Sequence, residues 1–335
     1  MRGHLVLLSL VLACGAEAGP SLDPAVAERV SASVVKVRVV NETRRVATGS
    51  AVSLGDGVLI TSCHGLRQAR VIEVLASGLQ PEVPGVVKDV EHDLCLLRTS
   101  ADIPAIPFAQ DGDALKVGDF VAAFGYKGPD IRHTEGTVRA LHPYDGAHVI
   151  QTDAAFASGE SGGALVDRDG RLVGILTFYA KEREDSFFAV PAIWVRKLLD
   201  RVAAGTPEGR QPERSFWERA GAEQPAFLQA AAREYAHDWE GLREVAAHWV
   251  GQQPGNAMAW IALGKALHHR EQDAAAVSAL EEAVKLDPRQ PAAWYYLGAA
   301  CRRIDRPDGL RRALERLDVL SPETARALRD GMPFE

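Results

Sequence analysis

The sequence has 335 residues, of which 38 are basic and 45 are acidic, so its formal net charge is −7. A chain of this length exceeds one average domain, and two domains are expected. A net negative protein has no field that attracts phosphate backbones, so we expect no nucleic-acid partner.

The first 18 residues have the features of a secretory signal peptide. Arg2 precedes an apolar run that falls well short of the roughly 20 apolar residues needed to span a bilayer. Small residues favour cleavage after Ala18. A lipobox-like alternative ends at Cys14, and only that route attaches the chain to a membrane. Both routes predict export to the periplasm or cell envelope, where disulfides are permitted.

Short β-like runs separated by Gly- and Asp-rich turns fill residues 24–203, including VVKVRVV, GVLITS, DFVAAFGY and RLVGILT. Many short strands at this spacing predict an all-β barrel or sandwich. The amphipathic stretch AIWVRKLLDRVA, followed by Gly205, predicts a helix that closes this domain.

Residues 204–215 are rich in proline, glycine and charge, which indicates a linker. Residues 216–330 change to alanine, leucine, glutamate and arginine with helical spacing. The segments AWIALGKAL and AWYYLGAAC place Trp260 and Trp294 34 residues apart. This period resembles the tetratricopeptide repeat, a helix-turn-helix unit, and a degenerate third copy precedes the two clear ones. A generic amphipathic bundle is the alternative.

The stretch ASGESGGALVD surrounds Ser161 with glycine. A serine hydroxyl becomes a strong nucleophile when a base takes its proton and a third group orients that base. His64 directly follows an apolar strand and Asp93 directly precedes another, which makes them the candidate base and acid. His92 and Glu91 are the neighbouring alternatives, but neither has the same strand context.

The order of these three residues, and the segments around them, resemble the Deg/HtrA-like branch of trypsin-fold serine proteases. The matching segments are TGSAVSLGDGVLITSCHGL, HDLCLLR and IQTDAAFASGESGGALVDRDGRLVGILT, and the similarity extends over roughly residues 30 to 200. The resemblance implies an all-β double barrel of the chymotrypsin type. It also implies a serine endopeptidase that needs no metal and no organic cofactor.

The resemblance implies further site residues. The backbone N–H groups of Gly159 and Ser161 are expected to form the oxyanion hole. Ala155, Thr177 and Phe187 are expected to line the specificity pocket, with Phe187 where the family commonly has glycine. Ala155 brings no charge to the pocket floor, so we expect a small aliphatic residue before the scissile bond.

Two further features depart from the family pattern. Glu160 stands where the family usually has Asn or Asp, and the sequence identifies no partner for its carboxylate. Cys63 and Cys95 flank the candidate base and acid where the family usually has small apolar residues. They are expected either to form a disulfide that braces the site or to pack as two buried thiols.

These patterns predict an exported serine endopeptidase that cleaves protein substrates, in envelope quality control or regulated proteolysis. The repeats stand where the family usually carries a PDZ domain, and we expect them to recruit substrate or partner proteins. The triad and the closing helix precede the linker, so residues up to Leu199 are expected to contain the complete site. A catalytically idle protease fold that acts as a binding scaffold is the alternative.

Overall fold

The computed structural model describes residues 21–76, 83, 85–110, 115–179, 186–206 and 209–334. The predicted signal segment, with both of its cleavage sites, lies outside these residues. Within the described ranges, no helix is both long enough and apolar enough to cross a membrane.

The first part of the chain is rich in β-strands, as predicted. Its elements are α1 (Pro24–Ala32), β1 (Val34–Asn41), β2 (Val46–Gly55), β3 (Val58–Ser62), β4 (Ala69–Leu75), β5 (Val86–Asp89), β6 (Leu94–Arg98), β7 (Phe120–Lys127), β8 (Asp130–Tyr144), β9 (Ala147–Thr152), β10 (Ala164–Val166), β11 (Leu172–Tyr179), β12 (Phe187–Pro191) and α2 (Ala192–Ala203). The strands form a six-stranded sheet in the order β4-β1-β2-β3-β6-β5 and a closed barrel in the order β10-β11-β12-β9-β8-β7.

Alternation of side chains along β1 contributes to the core of the first sheet. In β1, Val35, Val37 and Val39 are buried, whereas Lys36 and Arg38 are half-buried. Successive side chains of a strand point to opposite faces, so one face of β1 packs inward while the other carries charge toward solvent. The β-branched runs seen in the sequence therefore form a half-buried sheet.

The segment between α2 and the next helix packs against the barrel. Phe216 is fully buried, and its ring contacts those of Tyr144, Phe178 and Trp194. Its backbone N–H donates to the carbonyl of Glu91 at 3.1 Å. The boundary that the sequence suggested at residue 216 therefore falls inside the core of the β-rich region.

The described residues from 209 onward include seven α-helices. They are α3 (Ala226–Tyr235), α4 (Trp239–Gln252), α5 (Ala257–His269), α6 (Asp273–Leu286), α7 (Pro291–Arg303), α8 (Pro307–Leu320) and α9 (Pro322–Asp330). The predicted order of an all-β region followed by an all-α region is confirmed.

The pairs α5–α6 and α7–α8 repeat each other in detail. The indole N–H of Trp260 donates to the carbonyl of Pro254 at 2.8 Å, and that of Trp294 donates to the carbonyl of Pro288 at 2.9 Å. A Cβ added at Gly264 would lie 2.4 Å from the side chain of Leu280 in α6. Glycine at this position thus lets the two helices of the unit pack closely, which explains part of the sequence period.

Candidate active site

The sheet register brings His64 and Asp93 together. His64 begins a 3₁₀ turn after β3, Asp93 immediately precedes β6, and these antiparallel strands pair Ser62 with Leu94. Nδ1 of His64 lies 2.6 Å from Oδ2 of Asp93, and the backbone N–H of His64 donates to Oδ1 at 2.7 Å. Asp93 is only 1% exposed. The carboxylate therefore contacts the imidazole through Oδ2 and the His64 backbone through Oδ1.

This pairing controls the basicity of His64. Burial opposes protonation of the ring, but the charge of Asp93 and its hydrogen bond outweigh burial and raise the pKa of His64 above its ordinary value. Asp93 itself has a left-handed backbone, with φ of 59°. Asp tolerates that conformation better than most residues, and the turn aims its carboxylate at the histidine.

Ser161 lies just before β10, where the barrel meets the first sheet. The N–H of Ser50 in β2 donates to the Ser161 carbonyl at 2.9 Å. The Ser161 hydroxyl donates to the backbone carbonyl of Thr177 at 3.2 Å. Among the contacts of the described residues there is no hydrogen bond between Ser161 and His64.

The glycines around Ser161 let strands β2 and β7 approach its loop. Gly162 has a φ of 85°, and a Cβ added there would lie 2.2 Å from the carbonyl oxygen of Ser50. A Cβ at Gly163 would lie 2.1 Å from the carbonyl oxygen of Phe124 in β7. Side chains at these positions are excluded, which explains the glycine cluster physically.

Two backbone N–H groups of this loop are available to a ligand. In the described part of the chain, neither the Gly159 N–H nor the Ser161 N–H donates to a protein acceptor, whereas the N–H of Gly162 donates to Leu176 at 2.7 Å. The hydroxyl of Ser50 donates to the Gly159 carbonyl at 2.9 Å, which fixes the orientation of that residue. Gly159 has a φ of 99°, accessible chiefly to glycine. Unpaired N–H groups in such a loop suit a developing oxyanion.

Glu160, between these two donors, has a partner that the sequence did not reveal. Its Oε2 accepts the backbone N–H of Ala157 at 2.6 Å, and the residue is 5% exposed. Burial raises the pKa of Glu160, although the Ala157 hydrogen bond opposes the increase. The carboxylate thus closes the turn from inside.

The three predicted pocket residues have different surroundings in the structure. Thr177 is buried and its carbonyl accepts from Ser161, so it adjoins the candidate nucleophile. Phe187 is buried in β12, with its ring 5.4 Å from that of Phe156. Ala155 is exposed, and its carbonyl accepts from the Thr134 hydroxyl at 2.5 Å.

Cys63 and Cys95 form a disulfide in the structure, with their Cα atoms 5.0 Å apart. Cys63 directly precedes His64, and its backbone N–H also donates to the carbonyl of Asp93 at 3.1 Å. The bridge therefore joins the ends of β3 and β6 at the level of the histidine–aspartate pair.

The alternative acid and base are occupied elsewhere. Nδ1 of His92 lies 3.0 Å from Asp89, and its Nε2 lies 2.8 Å from Asp145. Glu91 accepts a hydrogen bond from the Tyr144 hydroxyl at 2.6 Å. The structure therefore pairs Asp93 with His64, and no cluster of three or more His, Cys, Asp or Glu in the described ranges is arranged to hold a metal ion.

Sequence reasoning missed one residue of the site. The indole N–H of Trp217 donates to Oδ2 of Asp93 at 3.2 Å, and its ring meets that of His64 edge-on at 5.2 Å. Trp217 is 124 positions from Asp93 and outside the protease-like segments. The one available signal was the aromatic pair Phe216–Trp217 beside a stretch rich in charge, proline and glycine.

Comparisons with known proteins find relatives of both regions of the chain. Residues 47–175 match the family "Trypsin-like peptidase domain", and residues 257–300 match "Tetratricopeptide repeat". The periplasmic serine endoprotease DegP of Escherichia coli is 34% identical over 167 residues, covering 46% of this chain and 35% of that protein. A probable periplasmic serine protease do/HhoA-like of Haemophilus influenzae is 32% identical over 230 residues, covering 64% and 48%.

A crystal structure of the serine endoprotease from Yersinia pestis aligns with a TM-score of 0.48 and 29% identity, covering 53% of this chain and 65% of that one. The chain spans less than half the length of the two curated relatives above.

Proposed function

We propose that this chain, which joins a trypsin-like peptidase domain related to the Deg/HtrA proteases to tetratricopeptide repeats, is a serine endopeptidase with His64, Asp93 and Ser161 as its triad. The observation that carries the proposal is the pair of half-buried His64 and buried Asp93, joined at 2.6 Å, beside a serine loop with two unpaired N–H groups. Each of these parts has one role in acyl transfer.

In the proposed reaction, Ser161 Oγ attacks the carbon of the scissile carbonyl while Nε2 of His64 takes the hydroxyl proton. The carbonyl oxygen becomes negative and accepts hydrogen bonds from the N–H groups of Gly159 and Ser161. Such donors contribute about 3 to 4 kcal/mol each to transition-state stabilisation. His64 then gives its proton to the leaving amine, and water hydrolyses the acyl-enzyme by the same steps.

The first step requires the Ser161 hydroxyl to turn away from the Thr177 carbonyl, to which it donates at 3.2 Å. A bound substrate presents its own carbonyl carbon to the hydroxyl oxygen, so the donor bond to His64 forms in that complex. The contact with Thr177 therefore describes a resting orientation of the nucleophile.

Substrate preference follows from the proposed pocket. Ala155 supplies no charge to hold Lys or Arg, and the buried ring of Phe187 narrows the space. We expect cleavage after small aliphatic residues. A peptide library reads this directly, and a clear preference for Arg or Lys contradicts the assignment of these pocket residues.

We place the activity in the periplasm or cell envelope. The relatives from Escherichia coli and Haemophilus influenzae are named as periplasmic proteases. A disulfide between Cys63 and Cys95 also suits an oxidising compartment. Proteolytic quality control or regulated cleavage is the role that fits this location, with attachment to the membrane only if Cys14 is lipidated.

The repeats are proposed to recruit protein substrates or partners. A cavity of about 760 Å³ opens between the barrel and the repeats. Phe178 and Trp217 line it on the side of the catalytic pair, and Lys265 of α5 and Tyr296 of α7 line it on the repeat side. A protein segment lying in this cavity would meet Trp217, which contacts the pair of His64 and Asp93.

The test uses purified protein, a fluorophosphonate probe and a casein substrate. Wild type should be labelled and should cleave casein, and Ser161→Ala should lose both activities while keeping its thermal midpoint. Ser33→Ala is the matched control, because this buried serine donates to Arg29 in the same domain, away from the site. A folded wild-type protein that takes up no probe supports the idle-scaffold alternative instead.

A further inference from the structure

The carboxylate of Asp93 accepts three side-chain or backbone hydrogen bonds from the described residues. Two come from His64, at 2.7 Å from its backbone N–H and 2.6 Å from its ring. The third comes from Nε1 of Trp217 at 3.2 Å, to the same oxygen that faces the ring. Two of the three donors therefore belong to His64, and the third belongs to Trp217.

Trp217 is itself held firmly in place. Its ring stacks on Phe178, with centroids 4.8 Å apart and planes at 14°. The side chain of Gln224 donates to its carbonyl at 2.9 Å. Its neighbour Phe216 is fully buried, and Glu218 on its other side forms an ion pair with Arg67. These contacts hold the indole in one orientation, so its N–H stays directed at Asp93.

We propose that Trp217, from the segment between α2 and the repeats, is a positioning residue for the Asp93–His64 pair. This inference rests on the proposed triad. The indole donor keeps Oδ2 of Asp93 turned toward the imidazole, and the edge of the ring shields one side of His64 from water.

The position of the stacked pair links both halves of the site. Phe178, on which Trp217 lies, directly follows Thr177, whose carbonyl accepts from Ser161. The stacked rings of Trp217 and Phe178 therefore contact Asp93 and His64 on one side and adjoin Thr177, beside Ser161, on the other. On this proposal, residues up to Leu199 contain the triad but lack one positioning residue, because Trp217 follows the linker.

The physical argument concerns an almost fully buried carboxylate. A hydrogen bond to a charged group contributes more than one between neutral groups, and a buried acceptor that loses a donor is left partly unsatisfied. Without the indole, Asp93 is held by the histidine and by its backbone, so both side chains can rotate together. Loss of that orientation reduces the rate of proton transfer more than it reduces substrate binding.

Trp217→Phe tests this, because it keeps an aromatic ring on Phe178 and removes the N–H donor together with one ring of the indole. We expect kcat for a short peptide, and the rate of fluorophosphonate labelling, to fall about 10- to 100-fold with little change in KM. The control is Trp260→Phe, which removes an indole donor to a backbone carbonyl in the repeats. That variant should retain wild-type rates.

A pH profile separates positioning from packing. The charged groups that act on His64 are Asp93, Glu218 and Arg67. Removing the Trp217 donor leaves more of the Asp93 charge to stabilise the imidazolium, so the acid limb of kcat should move to higher pH in Trp217→Phe. A purely structural role lowers the thermal midpoint without moving this limb.

The outcomes distinguish the two proposals. If wild type is labelled but Trp217→Phe retains its kcat, labelling rate and acid limb, the positioning role is overturned while the triad stands. A rise in KM alone also overturns it, because that result describes a binding wall. If wild type is not labelled and Ser161→Ala changes nothing, the proposed function itself fails.

Discussion

Removing the Cys63–Cys95 bridge should weaken the β-rich region substantially. The two cysteines are 32 positions apart and are 8% and 1% exposed. Closing a loop of that length restricts the unfolded chain by about 4 kcal/mol at 25 °C. The double variant Cys63→Ala with Cys95→Ala should therefore lose about 4 kcal/mol of unfolding free energy. Its thermal midpoint should fall by roughly 8 to 16 °C for a domain of this size.

Urea unfolding, followed by near-ultraviolet circular dichroism, measures this loss in the oxidised wild type, the dithiothreitol-reduced wild type and the double variant. Cys301→Ala is the control, because it removes the free buried thiol of α7 without touching the bridge. The reduced wild type and the double variant should behave alike. Equal stability of oxidised and reduced protein, or alkylation of both cysteines in the unreduced, denatured chain, refutes the reasoning.

Three further predictions follow from single residues. Gly162→Ala should abolish cleavage and destabilise the fold, because its Cβ would lie 2.2 Å from the Ser50 carbonyl oxygen. The control is Gly209→Ala, which has open space around it and should change neither activity nor thermal midpoint. The acid limb of kcat/KM should lie above about pH 6.5, because the pKa of His64 is raised and only its neutral form accepts the serine proton; a limb near pH 5 contradicts this. Burial lowers the pKa of His142 to about 4. Between about pH 6.5 and pH 4, His142 is therefore protonated in the unfolded chain but neutral in the folded chain. Stability should then fall by roughly 3 kcal/mol between pH 6.5 and pH 4, and a His142→Phe variant with an unchanged slope in urea unfolding contradicts this.

The sequence contained the order of the two regions and the positions of the three candidate catalytic residues. Alternation with period two identified the strands, and a 34-residue spacing identified the repeats. Both are local properties of the chain. His64 and Asp93 could be selected over His92 and Glu91 because their strand context is also local. The glycines around Ser161 indicated a crowded turn before any neighbour was known.

The partners of those residues depended on contacts between distant parts of the chain. The sequence left the bridge open as one of two outcomes, because the distance between two Cα atoms depends on the register of β3 and β6. It identified no partner for Glu160, because the Ala157 N–H comes within hydrogen-bonding distance of this carboxylate only when the loop closes. No local pattern encodes either distance.

Trp217 shows the same limit most clearly. Composition around residues 204–215 indicated a linker, and that property is local. Whether Phe216 and its neighbours are exposed or packed depends on an apolar surface elsewhere in the chain. Here Tyr144, Phe178 and Trp194 form that surface. Burial of Phe216 on that surface carries the adjacent indole to Asp93. The sequence alone determined which residues were candidates for chemistry, and the tertiary structure decided which distant side chain contacts them, because side-chain packing is set by the whole fold.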